Sequence, residues 1–153
     1  MPNWCGNTIA IYEGDKPELE NLYRLITEWT SKNYMKNSFG ETWLGNIVLG
    51  AGFPIEDYEC RGKIVDVFLD KEDGSLNIET ETACKPMNAM WHAIIEKFAP
   101  HCSFDSFSSE PWSSYYHVEH DSNIKTSFGY DHYVDGYLGS RNKCGVDWID
   151  KLY

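Results

Sequence analysis

Histidine, aspartate and cysteine side chains gather in the C-terminal third of the chain, and these residue types hold zinc and other transition metals. The set comprises His101, Cys102, His117, His120, Asp121, Asp131, His132, Asp135 and Cys144. A metal hypothesis centres on His117, His120, Asp121 and His132. A β-strand would send His117 and His120 to opposite faces, so the two could chelate one ion only across a turn. The alternative interpretation is that these are solvated polar residues on strands.

Aromatic residues crowd the same region. An RNA-binding sheet stacks bases on exposed aromatic rings, but such sites are normally supported by Lys and Arg. Residues 100 to 153 contain only four of these, Lys125, Arg141, Lys143 and Lys151. Tyr and Trp can instead anchor a protein partner without positive charge, or simply pack across strands. The predicted binding surface comprises Trp43, Trp112, Tyr115, Tyr116, Glu119, Tyr130 and Tyr133.

The N-terminal residues offer a possible nucleophile in Cys5, but no histidine or aspartate lies beside it in the sequence to activate the thiol. The alternative is that Trp4 and Cys5 pack under a sheet while Asn3 and Asn7 bond backbone groups in the entry turn. Paired carboxylates at strand spacing, Glu79 with Glu81 and Asp66 with Asp70, would need burial for acid–base chemistry. We interpret them as a solvated sheet face.

Length and charge limit the possible functions. The 153 residues fit one domain, 1–153, and carry a net charge of −11. An acidic surface repels phosphate backbones and attracts basic partners, so direct nucleic-acid binding is not expected. Five cysteines without paired CxxC spacing predict free thiols in a reducing compartment. Since no secretory leader or membrane-spanning apolar run is evident, we expect a cytoplasmic protein without a membrane contact.

Hydrophobic periodicity predicts the elements that would position these residues. Helices are predicted at 17–33, with Asp15 and Glu18 as a capping box, and from Pro86 to Phe98. Strands are predicted at 8–12, 63–70, 75–82 and 102–107, with Val65, Val67 and Leu69 facing the core and a tight turn at Asp73-Gly74. An insertion at 34–62 would contain a short strand at 46–49. The segments 112–120 and 127–138 would form a C-terminal hairpin that extends the sheet or covers its open face.

The opening Met1-Pro2-Asn3-Trp4-Cys5-Gly6-Asn7 resembles the MPNWCxN start of the YubB-like family of plasmid- and phage-borne proteins. A second region is similar to a family segment with a threonine-containing strand, a proline-initiated helix with a central tryptophan and a further strand, at Thr80–Ala83, Pro86, Trp91 and Phe104–Trp112. Where the family often has a WGTKW-like segment, this chain has Cys60-Arg61-Gly62-Lys63-Ile64. The resemblance implies a mobile-element origin and a ferredoxin-like βαββαβ fold, and it carries no activity with it.

These observations predict an α+β protein, a ferredoxin-like sandwich with two helices on one face of an antiparallel sheet. The leading hypothesis is a non-enzymatic, acidic protein-interaction module without a cofactor, which could inhibit a host nucleic-acid-handling or defence protein. The alternative is a small metal-dependent enzyme that uses the His/Asp cluster. A third hypothesis is a homodimer formed through the exposed sheet face.

Overall fold

The chain folds as a mixed α+β structure in which helices pack on an antiparallel sheet. The computed structural model describes residues 4–31, 38–110, 115–121 and 131–137, with side chains for 4–31 and 38–109. The strands are β1 (Trp4–Tyr12), β2 (Gly62–Asp70), β3 (Ser75–Ala83), β4 (Ser103–Glu110), β5 (Tyr115–Asp121) and β6 (Asp131–Tyr137). The helices are α1 (Lys16–Trp29), α2 (Leu44–Gly50) and α3 (Asn88–Phe98), with a 3₁₀ turn at Ile55–Asp57. The sheet order is β2-β3-β1-β4-β5-β6.

One hydrophobic core lies between the helices and one face of the sheet. Alternate strand residues enter it, among them Ile9 and Ile11 of β1 and Leu76 and Ile78 of β3, because successive strand side chains point to opposite faces. The helices contribute apolar stripes that also lie in this core, namely Leu19, Leu22, Ile26 and Trp29 of α1 and Met90, Trp91, Ile94 and Ile95 of α3. We call the opposite face of the sheet, which the helices leave uncovered, the open face.

Helix α1 confirms the predicted apolar stripe but ends earlier than expected, at Trp29. The Thr30 hydroxyl donates to the Ile26 carbonyl at 2.8 Å, and the Ser31 hydroxyl donates to the Glu28 carbonyl at 2.7 Å. These bonds satisfy carbonyls of the last turn, and the backbone of Thr30 leaves the helical conformation at φ −102° and ψ 17°. The predicted capping box is wrong, because Asp15 makes no side-chain cap bond. The Glu18 carboxylate instead meets His101 Nδ1 at 2.8 Å.

The short strand predicted at 46–49 is wrong, because these residues belong to helix α2. Leu44, Ile47 and Val48 are buried at helical spacing. The glycines that obscured this pattern have packing roles. An added Cβ at Gly50 would lie 2.4 Å from the Trp29 ring, so the short helix can approach α1 only with glycine there. The insertion also joins the edge of the sheet, where the Ile64 amide donates to the Thr42 carbonyl at 2.8 Å.

A β-bulge reverses the facing of residues in the first half of β2. The register with β3 shifts between Ile64 and Asp66, which leaves Val65 as the extra residue. Ile64 is therefore buried at 7% exposure, whereas Val65 is 52% exposed. The prediction that Val65 faces the core is wrong for this reason. Val67 and Leu69 do pack against the core, as predicted.

Turns and termini differ in detail from the predictions. Asp70 pairs with Ser75, so β2 and β3 are joined by four residues, and only Gly74 has a positive φ there, at 72°. Strand β1 starts at Trp4 rather than at 8, and Trp4 lies on the open face at 51% exposure rather than under the sheet. Strands β5 and β6 pair with each other, and β5 pairs with β4. None of the helices in the described ranges is long and apolar enough to cross a bilayer.

Candidate binding surface

Trp43, one of the predicted binding residues, is held rigidly at the edge of the sheet. Its indole Nε1 donates to the Cys60 carbonyl at 2.7 Å, and the Phe39 ring stacks on it with centroids 4.4 Å apart and planes at 25°. Gly45 also lies against this ring, since an added Cβ there would lie 2.3 Å from ring carbons of Trp43. Since the indole N–H is already satisfied, the ring can offer an apolar surface without a polar group left to pair.

An aromatic groove of about 440 Å³ opens beside this tryptophan. It lies between the insertion and the ends of β1, β2 and β3, and its lining consists of Trp4, Phe39, Trp43, Ile55, Tyr58, Cys60, Arg61, Gly62 and Ala83. Two of the lining rings are largely in water, since Trp4 is 51% and Phe39 is 68% exposed. Burial raises the pKa of the Cys60 thiol to about 11. The thiol is therefore neutral near pH 7 and acts as part of an apolar wall.

The open face of the sheet continues from this groove. Trp4, Gly6 and Thr8 alternate along β1 with the buried residues Cys5 and Asn7. On the same face β2 exposes Val65 and Phe68, at 52% and 56%. Exposed apolar side chains gathered on one face are typical of a surface that contacts another molecule.

Carboxylates stand among these apolar side chains. The register places Glu81 opposite Gly6 and Glu79 opposite Thr8, and both glutamates are exposed, as the paired-carboxylate interpretation expected. Lys63 Nζ lies 3.5 Å from a Glu81 carboxylate oxygen, with both side chains about half exposed. No basic side chain within residues 4–31 and 38–109 pairs with Glu79. The face therefore combines apolar contact area with negative charge.

The remaining predicted binding residues fall on parts of the chain where only the backbone is described, or outside the described residues. Strand pairing places Tyr116 level with Ser109 on the open face, whereas Tyr115 and Glu119 occupy alternate positions that belong to the helix side. Tyr133 pairs with Glu119. Trp112 and Tyr130 lie outside the described residues. Trp43 lies within the ranges whose side chains are described.

The residues of the metal hypothesis lie on two strands. Because β5 keeps a continuous register over its length, His117 and Asp121 share one face and His120 the other. The register places His120 opposite His132 in β6 and opposite Asp105 in β4. The four candidate ligands are thus divided between two faces of the sheet. Cys144 lies outside the described residues.

Cys5 and Asn7 form a buried polar group under the sheet rather than an entry turn. The Asn7 amide Nδ2 donates to the hydroxyls of Thr80 at 3.0 Å and Thr82 at 2.9 Å, and to the Cys5 carbonyl at 3.2 Å. The Cys5 thiol lies 3.5 Å from Asn7 Oδ1. Cys5 is 0% exposed, so its thiol has no access to a substrate in this conformation. The arrangement ties β1 to β3.

A further titratable cluster joins the start of α1 to the start of β4. Asp15, Glu18 and His101 bring their ligand-type atoms within 4.8 Å of one another. His101 Nδ1 is 2.8 Å from Glu18 and 3.9 Å from Asp15. Burial raises the pKa of the adjacent Cys102 thiol to about 12, and the nearby carboxylates of Glu18 and Asp15 contribute to the rise. The contact of His101 with the Glu18 carboxylate joins the two elements.

Sequence reasoning missed Trp4, Gly6 and the groove as parts of a surface. The available signal was alternation, because Trp4, Gly6 and Thr8 share one strand face opposite to Cys5, Asn7 and Ile9. That signal requires β1 to start at Trp4. Comparisons of the chain with family models, with curated proteins and with solved structures found no match.

Proposed function

We propose that this protein is a non-enzymatic, acidic interaction module of mobile-element origin that binds a protein with a basic surface. The observation that carries the proposal is the open face, where the exposed apolar side chains of Val65 and Phe68 stand beside the carboxylates of Glu79 and Glu81. The rigid aromatic groove adjoins this face at Trp4. Aromatic anchors within a polar rim are typical of protein interfaces.

The partner that fits this surface is a nucleic-acid-handling or defence protein of the host. Such proteins carry basic surfaces that hold phosphates. A chain with a net charge of −11 is attracted to these surfaces over a long range. By occupying the basic surface with carboxylates, the module would inhibit its partner. Because the chain itself repels phosphate backbones, it has no direct nucleic-acid target.

We further propose a ferredoxin-like βαββαβ core formed by β1, α1, β2, β3, α3 and β4. The antiparallel pairing of β1 with both β3 and β4 supports this assignment. So does the common core of α1 and α3 on one face of the sheet. In this interpretation α2 belongs to an insertion, and β5 with β6 forms a C-terminal extension.

Affinity capture with matched variants tests the interaction. The wild-type chain, Trp4→Ala and Phe68→Ser are immobilised beside the control Leu49→Ser, which changes a 40% exposed apolar residue on α2. We expect wild type and the control to capture the same basic protein from a lysate of the host cell. Both open-face variants should lose it, and about 0.5 M NaCl should weaken capture, since salt screens surface charges. The captured protein, once purified, should lose nucleic-acid binding when wild type is added.

Two results contradict the proposal. One is the absence of any captured protein even at low salt. The other is equal capture by wild type, by Leu49→Ser and by both open-face variants, which would mean that neither the groove nor the open face makes the contact.

A second candidate function is a small metal-dependent enzyme that uses the His/Asp cluster. The strand register favours a site that contains only some of the predicted ligands. Asp105, His120 and His132 occupy one row across β4, β5 and β6. Directly opposed residues in an antiparallel pair have Cβ atoms about 5 Å apart, a spacing compatible with a shared ion. Metal analysis of protein that has been loaded with zinc and then dialysed tests this candidate. Stoichiometric zinc that disappears in His132→Ala supports it, and zinc-free wild type contradicts it.

A further inference from the structure

The open face contains a cleft of about 330 Å³ at the centre of the sheet, above Gly6. An added Cβ at Gly6 would meet no atom within 4 Å, so packing within the chain does not require glycine here. Nor does the backbone, because Gly6 is not among the residues with positive φ. The missing side chain therefore leaves space on the surface.

The walls of the cleft differ in chemistry on its two sides. On the β3 side stand Glu79 and Glu81, with Val65 of β2 beyond them. On the β4 side stand Phe107 and Ser109, which pair with Thr8 and Gly6. Carboxylates beside apolar walls match a side chain that has an apolar stem and a cationic end.

We propose that this cleft binds a lysine or arginine side chain of the protein partner. The inference rests on the proposed function and specifies how the open face recognises a basic surface. The stem lies above Gly6 against the Phe107 side chain, and the cationic end meets Glu79 and Glu81. The Lys63–Glu81 pair does not prevent this, because an exposed ion pair is worth little and its lysine can swing away into solvent.

The cleft and the aromatic groove are adjacent, and their spacing predicts the shape of the bound segment. Trp4 lines the groove and Gly6 lines the cleft, two positions apart on the same face of β1. Positions i and i+2 of a strand are about 7 Å apart. An extended partner segment with a basic and an aromatic side chain two positions apart would therefore reach both sites.

A peptide titration followed by amide NMR shifts tests the cleft directly. The probe is acetyl-Gly-Arg-Gly-Trp-Gly-amide, and the matched probe carries citrulline, which is neutral and nearly the same shape, in place of arginine. We expect shifts at Gly6, Thr8 and Ser109 with the arginine peptide. The citrulline peptide should bind about tenfold more weakly, the effect of losing roughly one charge-assisted contact.

Variants of the cleft complete the experiment. Gly6→Val fills the cleft in a strand that tolerates β-branched residues, and it should weaken arginine-peptide binding about tenfold or more. Glu79→Gln with Glu81→Gln should weaken it by a similar factor and reduce its salt dependence. This surface pair keeps the test valid if Gly6→Val does not fold. The control Glu20→Gln, an exposed carboxylate on α1, should bind as wild type.

The outcomes separate this inference from the proposed function. Equal affinity for the arginine and citrulline peptides would contradict the proposal that the cleft binds a basic side chain. The same conclusion would follow if both cleft variants bound the arginine peptide as tightly as wild type does. If the cleft variants also capture the partner protein while Trp4→Ala loses it, the interaction module stands and the cleft alone fails. If wild type captures no partner, the proposed function fails whatever the peptide does.

Discussion

The two faces of the sheet are made from alternate residues of the same strands, yet their polar groups have different partners. The polar groups around Asn7 on the helix side bond within the chain, whereas the carboxylates on the open face are exposed to water. On the helix side, the buried Asn7 amide is satisfied by Thr80, Thr82 and Cys5 within the chain. On the open face, Glu79 and Glu81 stand in water beside half-exposed apolar side chains. Polarity alone therefore does not locate a binding surface. Polar groups bonded within the chain hold the fold together, and those left to solvent remain available to a partner.

A pair of tryptophan variants provides the most demanding test of this contrast between the faces. Trp91 is 1% exposed in the core, and Trp91→Ala should lower the free energy of unfolding by about 3–5 kcal/mol. Trp4 is 51% exposed on the open face, and Trp4→Ala should cost about 1 kcal/mol or less. Urea unfolding measures both values. Similar losses in the two variants would mean that the open face is part of the folding core.

A pair of asparagine variants compares the loss of stability when a buried and a partly exposed side-chain amide are removed. Asn7→Ala removes an amide that bonds two buried threonine hydroxyls, and leaving these unsatisfied should cost about 2 kcal/mol. Asn77 is partly exposed on β3 and donates to the Ser75 hydroxyl at 3.0 Å. Because water can replace this bond, Asn77→Ala should cost about 1 kcal/mol or less. Thermal unfolding of the two variants side by side decides whether the buried group is the stabilising one.

A smaller change in stability is expected from thiol titration. The pKa values of Cys60 and Cys102 are raised from 9.0 to about 11 and about 12, so both thiols stay protonated in the folded chain while the unfolded chain ionises above pH 9. Unfolded protein then binds fewer protons, and stability falls as pH rises from 9 towards 11. The loss should reach about 1 kcal/mol per thiol at about pH 10.

Urea unfolding at about pH 8, 9 and 10 measures this decline. Cys102→Ala is the matched variant, and its decline should be shallower than that of wild type. A thiol reagent at about pH 8 provides a second readout, because the exposed Cys84 should react quickly and Cys60 and Cys102 only on unfolding. Fast labelling of the buried pair in the folded protein would contradict the assigned environments.

The sequence predicted those helices and strands in which the buried apolar residues recur at regular helical or strand spacing. The stripe of Leu19, Leu22 and Ile26 specified α1, because one face of a helix repeats every 3.6 residues. Asp73-Gly74 located the turn between β2 and β3. The same reasoning failed at 46–49, where Gly45 and Gly50 interrupt the helical pattern. Their role depends on the Trp43 and Trp29 rings, which only the folded chain brings against them.

The candidate surface was likewise only partly predictable. Composition predicted an acidic chain whose tryptophans could anchor a partner, and it selected Trp43. It could not place Trp43 beside Trp4, because the two meet only where the insertion packs on the ends of β1, β2 and β3. Nor could it find the cleft, since Gly6, Glu81 and Ser109 become neighbours only through strand pairing.

Residue type and local period were enough to establish the net charge and the α+β class, and they placed the residues of β1 and β3 that alternate within the predicted strand bounds. The folded structure was needed to assign which set of alternate residues faces the helices and where a bulge reverses this facing. Both depend on contacts between residues that are far apart in the chain. The bulge between Ile64 and Asp66 turns Val65 towards water. This bulge in the pairing of β2 with β3 places Val65 on the open face beside Glu79 and Glu81.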